Sequence, residues 1–367
     1  MQVTESPNAS ELSPSGHTRL AASDQFLRID PSGFPDWDVM LTQNAESSFF
    51  HTSAWARVLQ ETYGHVPTYF CRFANGQLME LLATVEVSSR WTGRRGVSLA
   101  FTDFCAPLRA QREQGGKVYQ EAMVYGRERG WRYLECRGNN REWQGSSPSL
   151  GFYRHSIDLD CAKEGLFNRL NGAVKRGILK AQKSSITIEF ANDLDSIQIY
   201  YKLHCRTRRQ HGVPPQPFLF FENIFRHVLL SGHGFVALAR AGGKIVAAGV
   251  FFHHLKQAHY KFGASDYTFQ HLRPNNLLMW EVIQRFAKEV YQSLDLGRTS
   301  LVNEGLRRFK LGFGAREDSI EYFKYDFVKQ RFVKSPDRAQ GWVNHLFRWC
   351  PTPWLRLFGQ VLYPHLS

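Results

Sequence analysis

The stretch GRTSLVNEGLRRFKLGFGAR, residues 297–316, follows the short apolar run SLDL and gathers groups that do chemistry. Arg298, Thr299, Ser300 and Asn303 are hydrogen-bond donors, and Arg307, Arg308 and Lys310 add cations beside Phe309 and Phe313, against a single acid, Glu304. A lysine held against aromatic rings loses hydration and stabilises a developing oxyanion better than a fully wet one. Asp103, in LAFTDFCAPL, stands among apolar neighbours after a strand-like run. A carboxylate there needs cationic partners or its pKa rises, and it can orient an amine nucleophile or take its proton. Each stretch has a plainer reading: an amphipathic surface turn for the first, a turn cap for Asp103.

Three further stretches suit anions. Residues 167–183 carry Arg169, Lys175, Arg176, Lys180 and Lys183 without an acid, and 202–211 carry Lys202, Arg206, Arg208 and Arg209, again without one. A merely solvated helix face alternates sign, so these two can grip phosphates. In HLRPNNLLMWEVIQRF, Arg273, Asn275 and Asn276 open a helix whose unpaired N–H groups favour phosphate or carboxylate.

The 367 residues carry a formal net charge of +13, which favours an anionic partner without choosing among nucleic acid, nucleotide, glycan and phospholipid. The six cysteines form no C-x-x-C pair, so zinc-ribbon and redox readings fail. No HExxH, GxSxG, P-loop or GxGxxG appears. Nucleic-acid binding through charge alone has no reader motif behind it, and the cations do not alternate with aromatics as in single-strand binders.

The elements that must position these groups are legible as periodic runs. HTSAWARVLQETYG predicts a helix capped by Thr52 or Ser53 and ended by Gly64. Asn75-Gly76 and Gly242-Gly243 each predict a hairpin. GVSLAF, WRYLECRG, FYRHSIDLD, QAHYKFGAS and QSLDLGR read as strands, and roughly 111–129, 163–183, 193–209, 218–230 and 273–290 as helices. Hairpin, strand, helix, strand and basic loop thus occur twice, a weak internal duplication. The expected class is α/β (α+β), with mixed, mostly antiparallel sheets flanked by helices. The expected division is a disordered tail over 1–25, domains over 26–150 and 151–328, and a basic aromatic tail over 329–367. That last tail, with Trp342, Trp349 and Trp354 among arginines, suits either a membrane interface or docking onto the body. Residues 1–25 lack an apolar signal core and no stretch reaches membrane-spanning length, so the expected location is the cytoplasm, or the inner face of its membrane.

Six stretches in order resemble the FemAB/FemX-like acyltransferases related to the GNAT fold: FFHTSAWARVLQETYGHVP, LAFTDFCAPL, KRGILKAQKSSITIE, YYKLHCRTRRQHGVPPQPFLFF, YKFGASDYTFQHLRPNNLLMW and LDLGRTSLVNEGLRRFKLGFGA. The chain is most similar to the GNAT or CelD/BcsL-type members associated with exopolysaccharide genes. The resemblance implies tandem GNAT-like domains. It also implies transfer of an acyl or aminoacyl group, from acyl-CoA or aminoacyl-tRNA as co-substrate, to an amine or hydroxyl of an envelope precursor. No permanently bound cofactor is expected, and no metal is needed, because ester aminolysis is downhill and mostly requires positioning. The resemblance places Lys310, in the Phe309-Lys310 pair, near the reacting carbonyl; in the expected reaction Asp103 orients the nucleophile or takes its proton. Arg298, Thr299, Ser300, Phe309, Lys175, Arg176, Arg208 and Arg209 then hold the substrate, and Arg273, Asn275 and Asn276 the donor. The expected partners are an anionic small molecule, a lipid-linked glycan precursor or tRNA. A non-catalytic scaffold of the same fold, binding an anionic glycan or lipid-linked precursor, is the alternative. Two departures stand out: Ala100 replaces a frequent Pro, and HLRPNNL stands where GNAT proteins carry the acetyl-CoA loop.

Overall fold

A computed structural model describes residues 24–110, 116–138, 141–143, 145–160, 163–335 and 347–366. The tail assigned to 1–25 lies outside these, except for Asp24, paired with Arg72, and Gln25, which begins a strand. Along the first half run β1 (Gln25–Ile29), α1 (Trp37–Leu41), α2 (Ser53–Tyr63), β2 (Val66–Pro67), β3 (Tyr69–Ala74), β4 (Gln77–Leu82), β5 (Val85–Ser89), β6 (Gly93–Val97), β7 (Leu108–Arg109), α3 (Lys117–Glu128), β8 (Tyr133–Arg137) and β9 (Leu150–Asp158). Next come α4 (Lys163–Arg169), α5 (Gly172–Lys183), β10 (Thr187–Ala191), α6 (Leu194–Gln210), α7 (Phe218–Ile224), β11 (Gly234–Ala241), β12 (Lys244–His254) and β13 (Gln257–Ser265). The chain ends with α8 (Pro274–Lys288), β14 (Ser293–Ser300), α9 (Glu304–Gly312), β15 (Arg316–Asp326), β16 (Arg331–Phe332) and α10 (Thr352–Leu362).

Local chemistry explains most boundaries. The Thr52 hydroxyl accepts from Trp55 N at the start of α2, and Gly64 ends it at φ 69°. Asn75-Gly76 and Gly242-Gly243 both have positive φ at both residues, the turn that matches strand twist. The run 163–183 breaks into α4 and α5 because Asn171 caps a new helix, accepting from Val174 N. GVSLAF is strand only to Val97; beyond it Leu99 and Phe101 adopt left-handed backbone and the chain leaves the sheet.

The larger sheet has 12 strands, in the order β10-β11-β12-β13-β14-β9-β15-β8-β6-β5-β2 with β16 beside β15, and a 4-stranded sheet, β1-β3-β4-β7, stands apart. Each half contains a parallel pair joined by one helix: β13-α8-β14 and β6-α3-β8. The strand after each unit crosses to the other half. β9 follows β8 but pairs with β14, β15 follows β14 but pairs with β8, and β9 pairs with β15 at the centre. The exchange fuses the halves into one sheet and sets the site at their junction. Helices α5 and α8 cover β11–β14 with Val174, Ile178, Leu278, Val282 and Phe286, all buried. On the opposite side Trp55, Phe220, Phe252 and neighbouring rings form a core shared by both halves.

Candidate active site at the splayed strands

Parallel strands β13 and β14 pair only through Gln257–Ser293, Ala258–Leu294 and His259–Asp295. Beyond that point they diverge, because each edge of the opening carries a bulge. On β13, Lys261 is the extra residue between Tyr260, opposite Phe251, and Phe262, opposite Val250. On β14, the register slips between Asp295 and Arg298. Bulges bend a strand and re-aim its side chains. The wedge opens into a cavity of about 340 Å³ lined by His51, Asp103, Arg154, His259, Lys261 and Asp295 among others.

The equivalent opening between β6 and β8 is filled by the chain itself. Ser98 N donates to Glu135 O, the Ser98 hydroxyl accepts from Arg137 N, and Cys105 N donates to Arg137 O. The loop so held, 98–107, carries Asp103 across to the wedge of the other half. Asp103 lies 3.7 Å from Lys261 Nζ and 3.4 Å from Arg298 Nε. Burial alone would raise its pKa, but Lys261, Arg298, Lys310 and Arg137 outweigh burial and hold the carboxyl below its usual value. Asp103 is therefore ionised at neutral pH and accepts hydrogen bonds. Lys261 is nearly buried and sits 5.2 Å above the Phe50 ring. Burial pushes its ammonium down, and Asp103 opposes that push. Arg154 and Asp295 form a second pair at 2.7 Å. Asp295 also accepts from Gly297 N, which shapes the bulge. The pKa values of His51 and His259 are both pushed to about 4 by burial, so the rings are neutral, and His259 Nε2 has no hydrogen-bond partner among the described residues.

Lys310 stands one layer behind this cavity. Its ammonium donates to Gly297 O at 2.8 Å and Arg298 O at 3.0 Å, the carbonyls that the β14 bulge turns out of the ladder. Lys261 is thus the ammonium lining the cavity, and Lys310 is a positioning residue for its β14 edge. Burial pushes Lys310 down to about 8, with Asp103 and Asp295 pulling the other way. Only the protonated form puts a positive charge beside Asp103 and makes the hydrogen bonds to both carbonyls charge-assisted. Turnover should therefore fall as pH rises through about 8, and Lys310→Met should be slower and lack that limb in its pH–rate profile. A limb that persists unchanged would assign it to another group.

On the other side of α9, Phe309 and Arg308 face a second, acid-free groove shared with Arg176 and Lys180 of α5 and with Arg273 and Asn276 at the start of α8. Arg273 takes a left-handed backbone (φ 62°) before Pro274, so the chain turns sharply into the helix. Asn275 is half-buried and does not line the groove. The remaining residues singled out from sequence go elsewhere. Lys175 donates to Asn168 O and lies over the Phe167 ring. The Thr299 hydroxyl is buried 3.4 Å from His155 Nδ1, and Ser300 ends β14 opposite Phe152. Arg208 donates to Pro214 O and the Tyr363 hydroxyl, holding the C-terminal segment, while Arg209 lines a separate hollow with His211, Tyr267 and Arg348. Lys261, Arg154, Asp295, His51 and His259 were not apparent from spacing; a lone cation inside HYKFGAS was the available signal for Lys261.

Residues 169–324 match the family described as acetyltransferase (GNAT) domain. A GNAT-type acyltransferase domain is thus matched over this part of the chain. In fold, the chain is similar to FemX (TM-score 0.63, 10% identity, 81% of this chain and 96% of that one). It is similar also to the C-terminal domain (DUF2156) of a putative lysylphosphatidylglycerol synthetase from Agrobacterium fabrum (0.53, 12%, 85% and 95%). A tandem GNAT protein from the clavulanic acid biosynthesis pathway shares the arrangement (0.50, 11%, 83% and 98%), and the architecture here is likewise tandem GNAT-like. No curated protein matches the chain by sequence.

Proposed function

We propose that the protein transfers an acyl or aminoacyl group from a phosphate-bearing donor, acyl-CoA or aminoacyl-tRNA, to an amine or hydroxyl of a cell-envelope or exopolysaccharide precursor. The observation that carries this reading is the placement of the wedge, with its Asp103–Lys261 pair, beside an acid-free cationic groove. Donor phosphates sit among Arg176, Lys180, Arg273 and Arg308, and the activated carbonyl reaches the wedge. The acceptor's nitrogen or oxygen bonds to the carbonyl carbon as the bond to the carrier breaks. Asp103 accepts a hydrogen bond from the attacking group and orients it, and the proton finally resides on the leaving group or water. Lys261 faces the tetrahedral oxyanion. Ester and thioester aminolysis is downhill, so positioning supplies much of the acceleration. FemX and the lysylphosphatidylglycerol synthetase domain support the reading only as neighbours in fold.

Native mass spectrometry of freshly purified protein should reveal a co-purified CoA thioester or charged tRNA. With that donor, Arg176→Gln/Arg273→Gln should raise its KM by about tenfold or more and leave kcat nearly unchanged, as expected for lost charge-assisted contacts. A fall in kcat at constant KM would move the donor elsewhere. The scaffold reading is favoured by one observation: Arg273-Pro274 stands where GNAT proteins place their acetyl-CoA loop. It prevails if a lipid-linked or glycan precursor co-purifies and no donor is turned over.

A further inference from the structure

The C-terminal helix α10 is apolar on two opposite faces. One face docks. Leu355 is fully buried, and Gly359 packs so closely that a Cβ there would lie 2.0 Å from Pro215 O. The turn after the helix continues the dock. The Tyr363 hydroxyl donates to Pro214 O and accepts from Arg208, while Arg95 donates to His365 O. Tyr363 also packs against Phe101, in the loop that carries Asp103. The other face is in solvent. Trp354, Leu357, Phe358 and Val361 follow the i, i+3, i+4, i+7 spacing of a single helical stripe and are 41–59% exposed. Phe347 packs on Phe358 at 5.8 Å between ring centres, bringing Trp349, 89% exposed, to the same region. Trp91, 61% exposed, packs on His365 at 4.2 Å, at the end of the same segment.

Charge selects the occupant. No acid follows Asp337 in the chain, while Arg348 and Arg356 stand beside the stripe in sequence and Arg90 next to Trp91; Arg356 lies over the Tyr201 ring at 5.4 Å, and Arg94 is paired with Glu86 at 3.3 Å. A second copy of this surface would set Arg348 and Arg356 against their own kind with no acid in the C-terminal segment to pair them. An anionic bilayer surface supplies negative headgroups for the arginines, an interfacial layer for tryptophan and hydrocarbon for the stripe. Among the described residues no helix is long and apolar enough to cross a membrane, so α10 lies along the surface.

We infer that the outward face of α10, with Trp349 and Trp91, docks the protein on an anionic lipid surface. This inference stands independently of the transfer reaction.

The full-length protein is tested by flotation with vesicles of phosphatidylcholine alone and with vesicles holding about a third phosphatidylglycerol, the anionic fraction supplying the surface potential. It should float with the second set. Trp354→Glu/Leu357→Glu, which leaves Leu355, Gly359 and Tyr363 in place, should weaken binding about tenfold or more, because two charges enter the stripe that contacts hydrocarbon. Circular dichroism and thermal midpoint verify that this variant is folded; Val361→Glu is the substitute if it is not. Arg348→Gln/Arg356→Gln should reduce the preference for anionic vesicles. Failure of the folded protein to float with either vesicle overturns the inference, as does undiminished binding by the folded stripe variants. A dimer in sedimentation velocity that the stripe variant abolishes also overturns it, in favour of a second copy as the occupant.

Discussion

Lys261→Met is expected to lower turnover by about a hundred- to a thousandfold, the effect of removing one preorganised donor to an oxyanion. Methionine keeps much of the stem that lies against Phe50 and Phe262, so the change removes charge more than volume. Asp103 keeps Arg298 at 3.4 Å, so the carboxylate is not left unpaired. The folded state loses an ammonium that burial already disfavours, and the thermal midpoint should change little. Steady-state kinetics with the donor found by mass spectrometry check this: kcat falls and donor KM stays close to its original value. Unchanged kcat would remove Lys261 from the reaction and return the oxyanion role to Lys310.

The second large effect is expected at Gly297. Its φ of +73° is left-handed, and a Cβ there would stand 2.7 Å from Asp103 Oδ2. Gly297→Ala therefore combines backbone strain of about 1–2 kcal/mol with displacement of the carboxylate from the wedge. Misplacing a reacting group by about 1 Å can cost about a hundredfold in rate. The variant should lose activity to a similar degree and unfold a few degrees earlier. Asp103→Ala opens the space next to residue 297, so adding it to Gly297→Ala should restore part of the stability without restoring activity. This non-additivity, measured as a double-mutant cycle, distinguishes steric conflict with Asp103 from a general defect of the β14 bulge. Strictly additive losses of stability would contradict the contact.

The sequence exposed the local parts of the fold more fully than their assembly. Thr52, Gly64, Asn75-Gly76 and Gly242-Gly243 act within a few residues of themselves and were readable as caps and turns. The exchange of β9 and β15 depends on pairings such as Arg316 with Ser156, far apart in the chain, and no local signal carries it. At the site, Asp103 was legible because a carboxylate among apolar residues demands partners. Its partner Lys261 was not, because the bulge that aims it is a property of register with β12. Lys310 was singled out by its aromatic neighbours, but its direction was hidden: Gly297 and Arg298 present their carbonyls to it only after β14 has bulged. Arg208 looked like a phosphate ligand in an acid-free helix, yet its partner is Tyr363, which the tail brings back from 155 residues away.

In the proposed reaction, transfer occurs in the wedge between β13 and β14 while the donor's phosphates occupy the groove of Arg176, Arg273 and Arg308. The most direct test is a crystal structure with an unreactive analogue of the co-purifying donor, its ester or thioester replaced by a non-cleavable linkage. The predicted result places phosphate oxygens within hydrogen-bond distance of Arg176 and Arg273, and the acyl carbonyl beside Gly297 with Lys261 facing its oxygen. Phosphates bound instead at the Arg209–Arg348 hollow, with the wedge empty, would contradict it.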